Sequence, residues 1–259
     1  MKKIALGVLT AFSLSYADFL SFDMGAGLWQ QNIGGYVKKG DDINYFNNKS
    51  AENDDDKHTG NLGLKNVTKP YVWAKFIHPM PFVPNLRLQY TRFDTNGDGK
   101  AVGSTKIFGM VEVTADANVH TRLAMNSYDT TLFYEFKPIF ADLEAGIGVN
   151  ILQGYSEVEN KDNGDTSTGH WITPLPYLYA KVETMPIFGI SIEGSARYLD
   201  VSAGHYFDYR GGVKYHYKLP ILDVTTSAGY RYQDIFGKDG DNETRLRYNG
   251  AYAQVGVKW

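Results

Sequence analysis

The sequence repeats one kind of tight turn four times: Met80-Pro81-Phe82, Lys137-Pro138-Ile139, Met185-Pro186-Ile187 and Leu219-Pro220-Ile221. Each copy stands between two runs in which apolar and polar residues alternate. Because proline cannot donate to a sheet ladder, each copy predicts a turn between two antiparallel strands. The segments that join one such hairpin to the next are mostly long and polar. The pattern therefore predicts an up-and-down sheet with short turns at one end and longer loops at the other.

Ten strands are predicted, an even number with both termini on the turn side, as single-chain bacterial barrels require. Gly34-Gly35 is expected to interrupt the first strand, and residues 38–69, 153–173 and 233–244 are expected to be loops. The predicted strands are approximately Phe19–Val37, Pro70–Ile77, Asn85–Phe93, a strand ending in Thr130–Phe136, Asp142–Ile151, Pro176–Glu183, Ile190–Leu199, His205–Tyr217, Asp223–Tyr232 and Leu246–Trp259.

The first residues have the features of a secretory signal peptide. A basic Met1-Lys2-Lys3 start is followed by an apolar run and then by Ser15-Tyr16-Ala17. We expect export through the Sec pathway, cleavage after Ala17, and a mature domain at 18–259. Loss of the two lysines takes the formal charge from −3 to −5. An acidic chain of this kind does not predict nucleic-acid binding, which usually needs a basic patch.

The mature chain has no other apolar run near the length of about 18 residues that a spanning helix needs. A membrane location would therefore require a closed barrel, because an open sheet edge leaves backbone groups unsatisfied in lipid. The 19 Tyr and 14 Phe suit the aromatic girdles of such barrels, and the absence of Cys suits an oxidising periplasm. The fold class predicted is all-β: a ten-stranded antiparallel transmembrane barrel of the bacterial outer membrane, with periplasmic turns and extracellular loops.

The alternation of each strand also assigns an inward face. Charged residues are expected inside, because Lys or Arg at the lipid midplane costs about 2–4 kcal/mol. A barrel of ten strands favours an interior filled by ion-paired side chains, although a narrow hydrated pore is the alternative. The predicted lumen charges are Asp23, Lys75, Arg87, Glu135, Glu144, Lys181, Glu183, Glu193, Arg197, Arg210, Lys214 and Arg231.

The last strand ends in alternating apolar residues, Val255, Val257 and the terminal Trp259. This ending looks like the signal that the barrel-assembly machinery of Gram-negative outer membranes reads, although Phe is the commoner last residue. The partners expected are that machinery, periplasmic chaperones, outer-membrane lipid and lipopolysaccharide, and the protein is expected to be a monomer.

Several stretches resemble a family of small bacterial outer-membrane barrels named for a Gly-Gly near the N-terminus. They are Ala26-Gly27-Leu28-Trp29 with Gly34-Gly35, His78-Pro79-Met80-Pro81 with Pro84-Asn85-Leu86-Arg87, Tyr128 to Glu135, and Pro176 to Lys181. The resemblance implies an outer-membrane barrel and carries no activity with it.

Two sequence features suggest chemistry. The segment Asp94-Thr95-Asn96-Gly97-Asp98-Gly99 reads as a glycine-rich turn that matches half of a calcium loop, with Thr105 where a bidentate Glu is expected. It suggests a weak Ca²⁺ site at Asp94, Asn96 and Asp98, against the simpler interpretation of a polar turn. The six histidines have no metal-ligand spacing, and the simpler interpretation is that they are scattered over the rim and the loops. The candidates for a hydrolytic site are His170 and His205, with Asp165 or Ser202 within loop reach.

Three further patterns are less specific. Residues 94–125 can hold an extra surface hairpin that pairs Ile107–Val113 with Val119–Met125. The acidic Asp54-Asp55-Asp56 is interpreted as a solvated loop that can also serve as a ligand for a surface partner. The stretch Pro70 to Phe76 resembles Pro176 to Val182, either through shared hairpin physics or through an ancient duplication.

The sequence leaves three functions open. The first is a non-enzymatic barrel with a structural or surface-interaction role and a mostly filled, charged lumen. The second is a narrow porin-like channel for small solutes. The third is an outer-membrane hydrolase, either a protease or a lipid A deacylase.

Overall fold

The computed structural model describes residues 20–47, 58–103, 105–107, 111–113 and 116–259. The predicted signal peptide and Asp54–Asp56 lie outside these residues. The described chain forms the following strands: β1 (Ser21–Lys39), β2 (Asp42–Tyr45), β3 (Thr59–Asn61), β4 (Val67–Ile77), β5 (Asn85–Ala101), β6 (Thr105–Ile107), β7 (Val111–Val113), β8 (Ala117–Phe136), β9 (Ala141–Asn160), β10 (Thr166–Thr184), β11 (Ile190–Val201), β12 (Gly204–Lys218), β13 (Asp223–Asp239) and β14 (Asn242–Lys258).

The strands form an all-β ring. Twelve of them belong to one sheet, in the order β14-β13-β12-β11-β10-β9-β8-β5-β3-β2-β1-β4, and β14 also pairs with β1 while β5 pairs with β4. The pairing of β14 with β1 joins the last strand of the chain to the first and closes the ring. It runs from Asp23 opposite Lys258 to Lys39 opposite Asn242. The sheet has two strands more than predicted, because β2 and β3 from the expected loop 38–69 join it. It is also not antiparallel throughout as predicted, because β2 and β3 pair in parallel.

The four proline turns connect β4 to β5, β8 to β9, β10 to β11 and β12 to β13. They lie at one end of the ring together with the start of β1 and Trp259, and we call this the proline end. The opposite end, which carries the remaining connections, is called the loop end. The tightness of the turns follows from their proline residues and from local bonds such as that from the His78 N–H to the Asn85 side chain, at 3.1 Å.

Several strands reach further toward the loop end than the sequence indicated. β9 and β10 pair without a break from Asn150 opposite Leu175 to Glu159 opposite Thr166, so the predicted loop 153–173 is wrong. β13 and β14 likewise pair up to Asp239 opposite Asn242, so the loop at 233–244 is also wrong. In these regions polar residues continue the alternation, and the ladder hydrogen bonds keep them extended.

The Gly34-Gly35 pair does not interrupt β1, which continues to Lys39 in unbroken register with β14. Gly35 has φ of 99°, and a Cβ there would collide with the carbonyl oxygen of Arg245. The pair therefore marks a close approach of two backbones, which glycine permits.

The extra hairpin differs from the predicted one. Val119–Met125 pairs with β5, and the short partners are instead β6 and β7, from Thr105 opposite Val113 to Ile107 opposite Val111. The backbone of β6 lies beside β1, β2 and β14, and that of β7 beside β9 and β10. The hairpin thus crosses the loop end of the ring.

The outward face carries an apolar band. Its exposed members include Leu88, Leu132, Ile147, Leu178, Ile192, Val213 and Val255. On five strands, the outward apolar stretch reaches a tyrosine toward the loop end, and the exposed aromatic residues at the proline end include Phe136, Phe140, Tyr217 and Trp259. The tyrosines that end these stretches are Tyr90, Tyr128, Tyr198, Tyr209 and Tyr230, and we call them the tyrosine belt. Among the described residues, no helix is long and apolar enough to cross a membrane.

At two places in the wall, neighbouring long strands pair over only six residue pairs. The first seam lies between β4 and β5, where pairing ends at Tyr71 opposite Thr91. The second seam lies between β10 and β11, where pairing ends at Leu178 opposite Tyr198. Toward the loop end of each seam, the two strands separate.

The first seam is filled by residues 42–47 and 58–66, which we call the insert. Its strand β2 pairs with β1, and β3 pairs with β2 and meets β5 at Asn61 opposite Lys100. The Asn44 side chain donates to the Val102 carbonyl and accepts from the Val102 N–H, both at 2.9 Å. Phe46, Leu62 and Leu64 are buried. The insert is therefore part of the wall and of the core.

Candidate functional site

The lumen is the candidate site, because the predicted charges point into it. Eight of the twelve are buried, namely Lys75, Arg87, Glu144, Glu183, Glu193, Arg197, Arg210 and Arg231. The other four, Asp23, Glu135, Lys181 and Lys214, are partly buried. They form two groups at different heights.

The group nearer the proline end is a chain of lysine–carboxylate contacts that we call the lysine cluster. Its members are Lys75, Glu135, Glu144, Lys181, Glu183, Glu193 and Lys214. Lys75 lies 2.6 Å from Glu135 and 2.8 Å from Glu144. Lys181 lies 2.9 Å from Glu183 and 3.7 Å from Glu144.

Lys214 extends the lysine cluster across two further carboxylates. It lies 2.6 Å from Glu183 and 2.8 Å from Glu193. Each lysine therefore contacts at least two carboxylates, and neighbouring lysines share at least one. Such a network fixes each long side chain more firmly than an isolated surface pair would.

The second group lies further toward the loop end and is dominated by arginine. Arg197 contacts Asp129 at 3.2 Å and Asp208 at 3.0 Å, and Arg231 donates two bonds to Asp208, at 3.0 and 2.7 Å. Arg210 donates to Gln89 at 3.0 Å. We call Arg87, Asp129, Arg197, Asp208, Arg210 and Arg231 the arginine layer.

Aromatic rings hold these arginines in place. The Arg231 guanidinium lies 4.2 Å from the centre of the Trp29 ring. Arg210 lies between Tyr71 and Tyr252, at 5.7 and 5.5 Å. Stacking on a ring face suits the flat guanidinium and offsets part of the loss of hydration.

The loop-end half of the lumen is an apolar core. Trp29, Phe93 and Tyr248 pack on one another, with ring centres 5.7 Å apart for Trp29 and Phe93 and 4.6 Å apart for Phe93 and Tyr248. Phe46 and Leu62 of the insert belong to the same cluster. The interior between the arginine layer and the loop end is thus occupied by side chains.

A small cavity remains beside the lysine cluster and the arginine layer. Its volume is about 30 Å³, which is enough to hold water. Asp23, Lys75, Arg87, Arg210 and Lys214 are among the residues that line it.

Sequence reasoning missed two carboxylates of the arginine layer and most of the inward aromatic residues. Asp208 has the same alternation as Arg210, and Asp129 the same as Glu135, so the face assignment could have found both. Tyr177 and Tyr179 likewise lie on the same face of β10 as Lys181. The sequence predicts aromatic girdles, whereas these aromatic residues line the lumen.

The predicted calcium residues lie on the outward face of β5, and the predicted turn at Asp94–Gly99 is wrong. Alternate strand residues are about 6.6 Å apart, whereas Ca²⁺ needs oxygens at about 2.3–2.6 Å, so Asp94, Asn96 and Asp98 do not converge. Asp94 lies 2.9 Å from Arg92, and Asp98 lies 2.6 Å from Lys161. In the described part of the chain, no three His, Cys, Asp or Glu side chains are grouped to hold a metal.

The histidine candidates are not assembled as predicted. His170 packs on Tyr155, and His205 stacks between Phe207 and Phe236 with a nitrogen 3.6 Å from Asp234.

A serine, a histidine and a glutamate do meet elsewhere, at the proline end of the lumen. Ser191 Oγ lies 2.9 Å and Glu183 Oε1 3.1 Å from the same His216 nitrogen, Nε2. A Ser-His-acid relay needs the acid on the other ring nitrogen, so this arrangement is not a relay.

The predicted assembly signal lies on β14 and its end. Val255 is exposed on the outward face, and Trp259 packs on Phe22, with ring centres 5.1 Å apart. The backbones of Phe22 and Trp259 exchange two hydrogen bonds at 3.0 and 3.1 Å, which closes the ring at the proline end.

No family model matches the chain, and no curated protein matches it. The resemblance to the Gly-Gly family therefore stays a prediction.

Solved structures of bacterial barrels match the chain at low identity. Neisserial surface protein A is 14% identical, with 93% of this chain and 100% of that chain covered and a TM-score of 0.33. The outer membrane protease OmpT from Escherichia coli is 11% identical, with 95% and 99% covered and a TM-score of 0.43. The translocator domain of the autotransporter NalP from Neisseria meningitidis is 10% identical, with 100% and 95% covered and a TM-score of 0.39. All three scores lie below 0.5, and we base no inference on these proteins.

Proposed function

We propose that the protein is an integral outer-membrane barrel with a closed lumen, and that its role is structural or in surface interaction. Ten strands cross the membrane: β1, β4, β5 and β8 to β14. The proline end faces the periplasm, and the loop end faces outward. The apolar band bounded by aromatic residues supports the membrane location.

One observation carries the closed lumen: most of its charged side chains are paired with one another rather than arranged around a water-filled path. Lys75, Lys181 and Lys214 each contact at least two carboxylates, and Asp208 is shared by two arginines. The apolar core adds a second obstruction between this network and the loop end.

Conductance of the refolded protein in a planar bilayer tests this proposal. We expect a stable, silent bilayer. The double variant Arg197→Ala/Arg231→Ala is the matched control, because it removes two side chains that fill the middle of the lumen, and it should show more current than the parent. Discrete openings in most insertions of the parent protein would overturn the closed lumen.

The second candidate, a narrow channel for small solutes, is favoured by the cavity beside Asp23, Arg87 and Lys214. The same recordings decide between the two. The hydrolase is the third candidate, and intact lipid A and an uncut peptide panel after incubation with the protein would remove it.

The remaining proposals concern location and partners. Cleavage after Ala17, export by the Sec pathway, assembly through Val255, Val257 and Trp259, and contacts with lipopolysaccharide and periplasmic chaperones follow from the proposed location. We propose a monomer. Recovery of the protein in a soluble periplasmic fraction would contradict the location. We propose that the protein needs no cofactor, and calorimetric titration at millimolar Ca²⁺, in which we expect no binding, tests this.

A further inference from the structure

The second seam stays open because β10 lacks hydrogen-bond donors on the side that faces β11. The Met185 N–H donates to the Phe140 carbonyl, which directly precedes β9, at 3.2 Å. The register of β10 with β9 is unbroken, and successive N–H groups alternate in direction. The N–H groups of even-numbered residues in β10 therefore face β11. Pro174 and Pro176 occupy two of these positions and have no N–H to offer.

The neighbouring strand is also too short to cover β10. β11 ends at Val201, and β12 begins at Gly204, whereas β10 starts at Thr166 and passes the end of β11 on its way to the loop end. The wall therefore has a notch bordered by β10, by the β11–β12 turn and by the far ends of β13 and β14. We define the notch by Pro174, Leu175, Pro176, Leu199, Val201 and Ile235.

The notch passes through the wall. Leu175, Leu199 and Ile235 pack with the apolar core of the lumen. Pro174 and Pro176 are exposed and continue the outward row of Ile172 and Leu178. A single cavity of about 390 Å³ is lined by residues of both faces.

The chemistry of this cavity is that of a site for a hydrocarbon. Its volume is within the range of small-molecule sites, which are about 300–1,000 Å³ and mostly apolar. Ala203 and Phe236 add to the apolar lining, while Thr173, His205, Lys238, Asp239, Asn242 and Thr244 supply polar groups. Lys238 also lies 2.8 Å from Glu243. The notch opens next to Tyr198 of the tyrosine belt, where the apolar band ends. The apolar core fills the lumen directly beyond the notch, and the arginine layer fills the part below it, so the cavity does not continue as a channel.

We infer that the notch binds one hydrocarbon chain of an amphipathic molecule of the fatty-acid type, with the polar head near His205 and Lys238. The chain comes either from a free fatty acid or from a membrane lipid, since both present the same chemistry to the notch. The inference rests on the proposed membrane location, which places the tyrosine belt at the boundary of the hydrocarbon layer.

Photolabelling of the full-length mature protein tests this inference. The protein is placed in nanodiscs of dimyristoyl phosphatidylcholine and irradiated with decanoic acid that carries a diazirine at its terminal carbon. We expect mass spectrometry to find the label on peptides that contain Pro174–Pro176 and Leu199–Val201. Unlabelled decanoate should compete if the source is free fatty acid. Labelling from a diazirine-bearing phosphatidylcholine that decanoate does not displace identifies a membrane lipid as the source.

Two variants and one matched control make the test specific. Pro174→Val/Pro176→Val restores the missing donors and allows β10 to pair further with β11, and Val201→Trp fills the cavity without altering β10. Each should weaken labelling of the notch about tenfold, which corresponds to about 1.4 kcal/mol. Pro70→Val is the control, because Pro70 stands at the corresponding position of the first seam, which the insert fills. It should leave labelling unchanged.

The inference is overturned if the label is spread evenly over the outward apolar band, or if both notch variants label like the parent. Co-elution of the protein with nanodisc lipid is scored separately. A protein that does not co-elute contradicts the proposed membrane location, whereas a protein that co-elutes with an unlabelled notch contradicts this inference alone.

Discussion

The first and second seams start from the same sequence pattern and reach different outcomes. The stretches Pro70 to Phe76 and Pro176 to Val182 are similar, and in each the pairing with the next strand ends within two residues of the proline. In β4 the N–H groups of even-numbered residues face β5, as the bond from His78 to Asn85 shows, so Pro70 lacks a donor toward β5. The proline thus limits pairing in the same way at both seams.

The difference lies in the length of the connecting segment next to each gap. Residues 40–66 connect β1 to β4, and they include the insert. Beside the second seam, residues 161–165 connect β9 to β10, and only residues 202–203 connect β11 to β12. These short turns cannot reach into the gap. The same local signal therefore gives a closed wall where a long connection is adjacent and a notch where it is not.

The largest expected effect is on stability, because the first seam is closed by buried side chains and the second is not. Phe46→Ala removes a fully buried ring from the insert and should lower the free energy of unfolding by about 3–5 kcal/mol. Val201→Ala in the notch should change it by no more than about 0.5 kcal/mol, because Val201 is 52% exposed. Urea unfolding followed by tryptophan fluorescence measures both. Equal midpoints for the two variants would show that the insert contributes no more to stability than the open notch does.

A smaller effect concerns Lys75 and Lys181, which occupy matching positions in the two similar stretches and both contact Glu144. Lys75→Met and Lys181→Met should each cost about 1.5–3 kcal/mol, because each leaves carboxylates with one partner fewer. The double variant should cost more than the sum of the two, since Glu144 then loses both lysines. Additive losses in the same unfolding assay would contradict the shared role of Glu144.

The smallest effect concerns the β9–β10 turn, the end of the hairpin that borders the notch. The side-chain and backbone N–H groups of Asn118 donate to Asp162, both at 3.0 Å, and these bonds hold the pKa of Asp162 below its usual value. A lowered pKa means that this contribution to stability is complete above the ordinary pKa of Asp, and is lost as the pH falls through the lower, folded value. The protection of the amides at residues 160–165 against hydrogen exchange, relative to the intrinsic rate at each pH, should therefore fall only at acid pH.

Asp162→Asn is the control for this pH dependence. Its protection factors should equal those of the parent at acid pH, and they should do so at every pH, because its amide cannot gain the carboxylate's charge. An acid-induced change of equal size in Asp162→Asn would assign the effect to another group.

The sequence predicted the fold best where a feature depends on one residue or on its neighbours, as the proline turns and the alternation of faces do. Each proline turn connects two neighbouring strands, because a proline between two strands cannot donate the hydrogen bond that would extend their ladder. The inward positions of charges such as Glu144 and Arg197 follow from the period of two in a strand. The strand ends at 153–173 and 233–244 were wrong, because polar residues remain extended when a partner strand supplies hydrogen bonds.

Sequence reasoning could not predict which side chains meet inside the lumen. That Lys75 meets Glu144, or that Arg231 stacks on Trp29, depends on how strands far apart in the chain are arranged around the ring. The insert has no strong pattern of its own, and it becomes part of the wall only because the pairing of β4 with β5 ends at Tyr71 opposite Thr91.

By itself, the sequence determined the proline turns, the alternation of faces and the two positions at which pairing must end, because each follows from one residue or from its immediate neighbours. The tertiary structure decided which gap was filled and which remained open. That outcome depends on the length of the adjacent connection and on whether its apolar residues, here Phe46, Leu62 and Leu64, can reach the core.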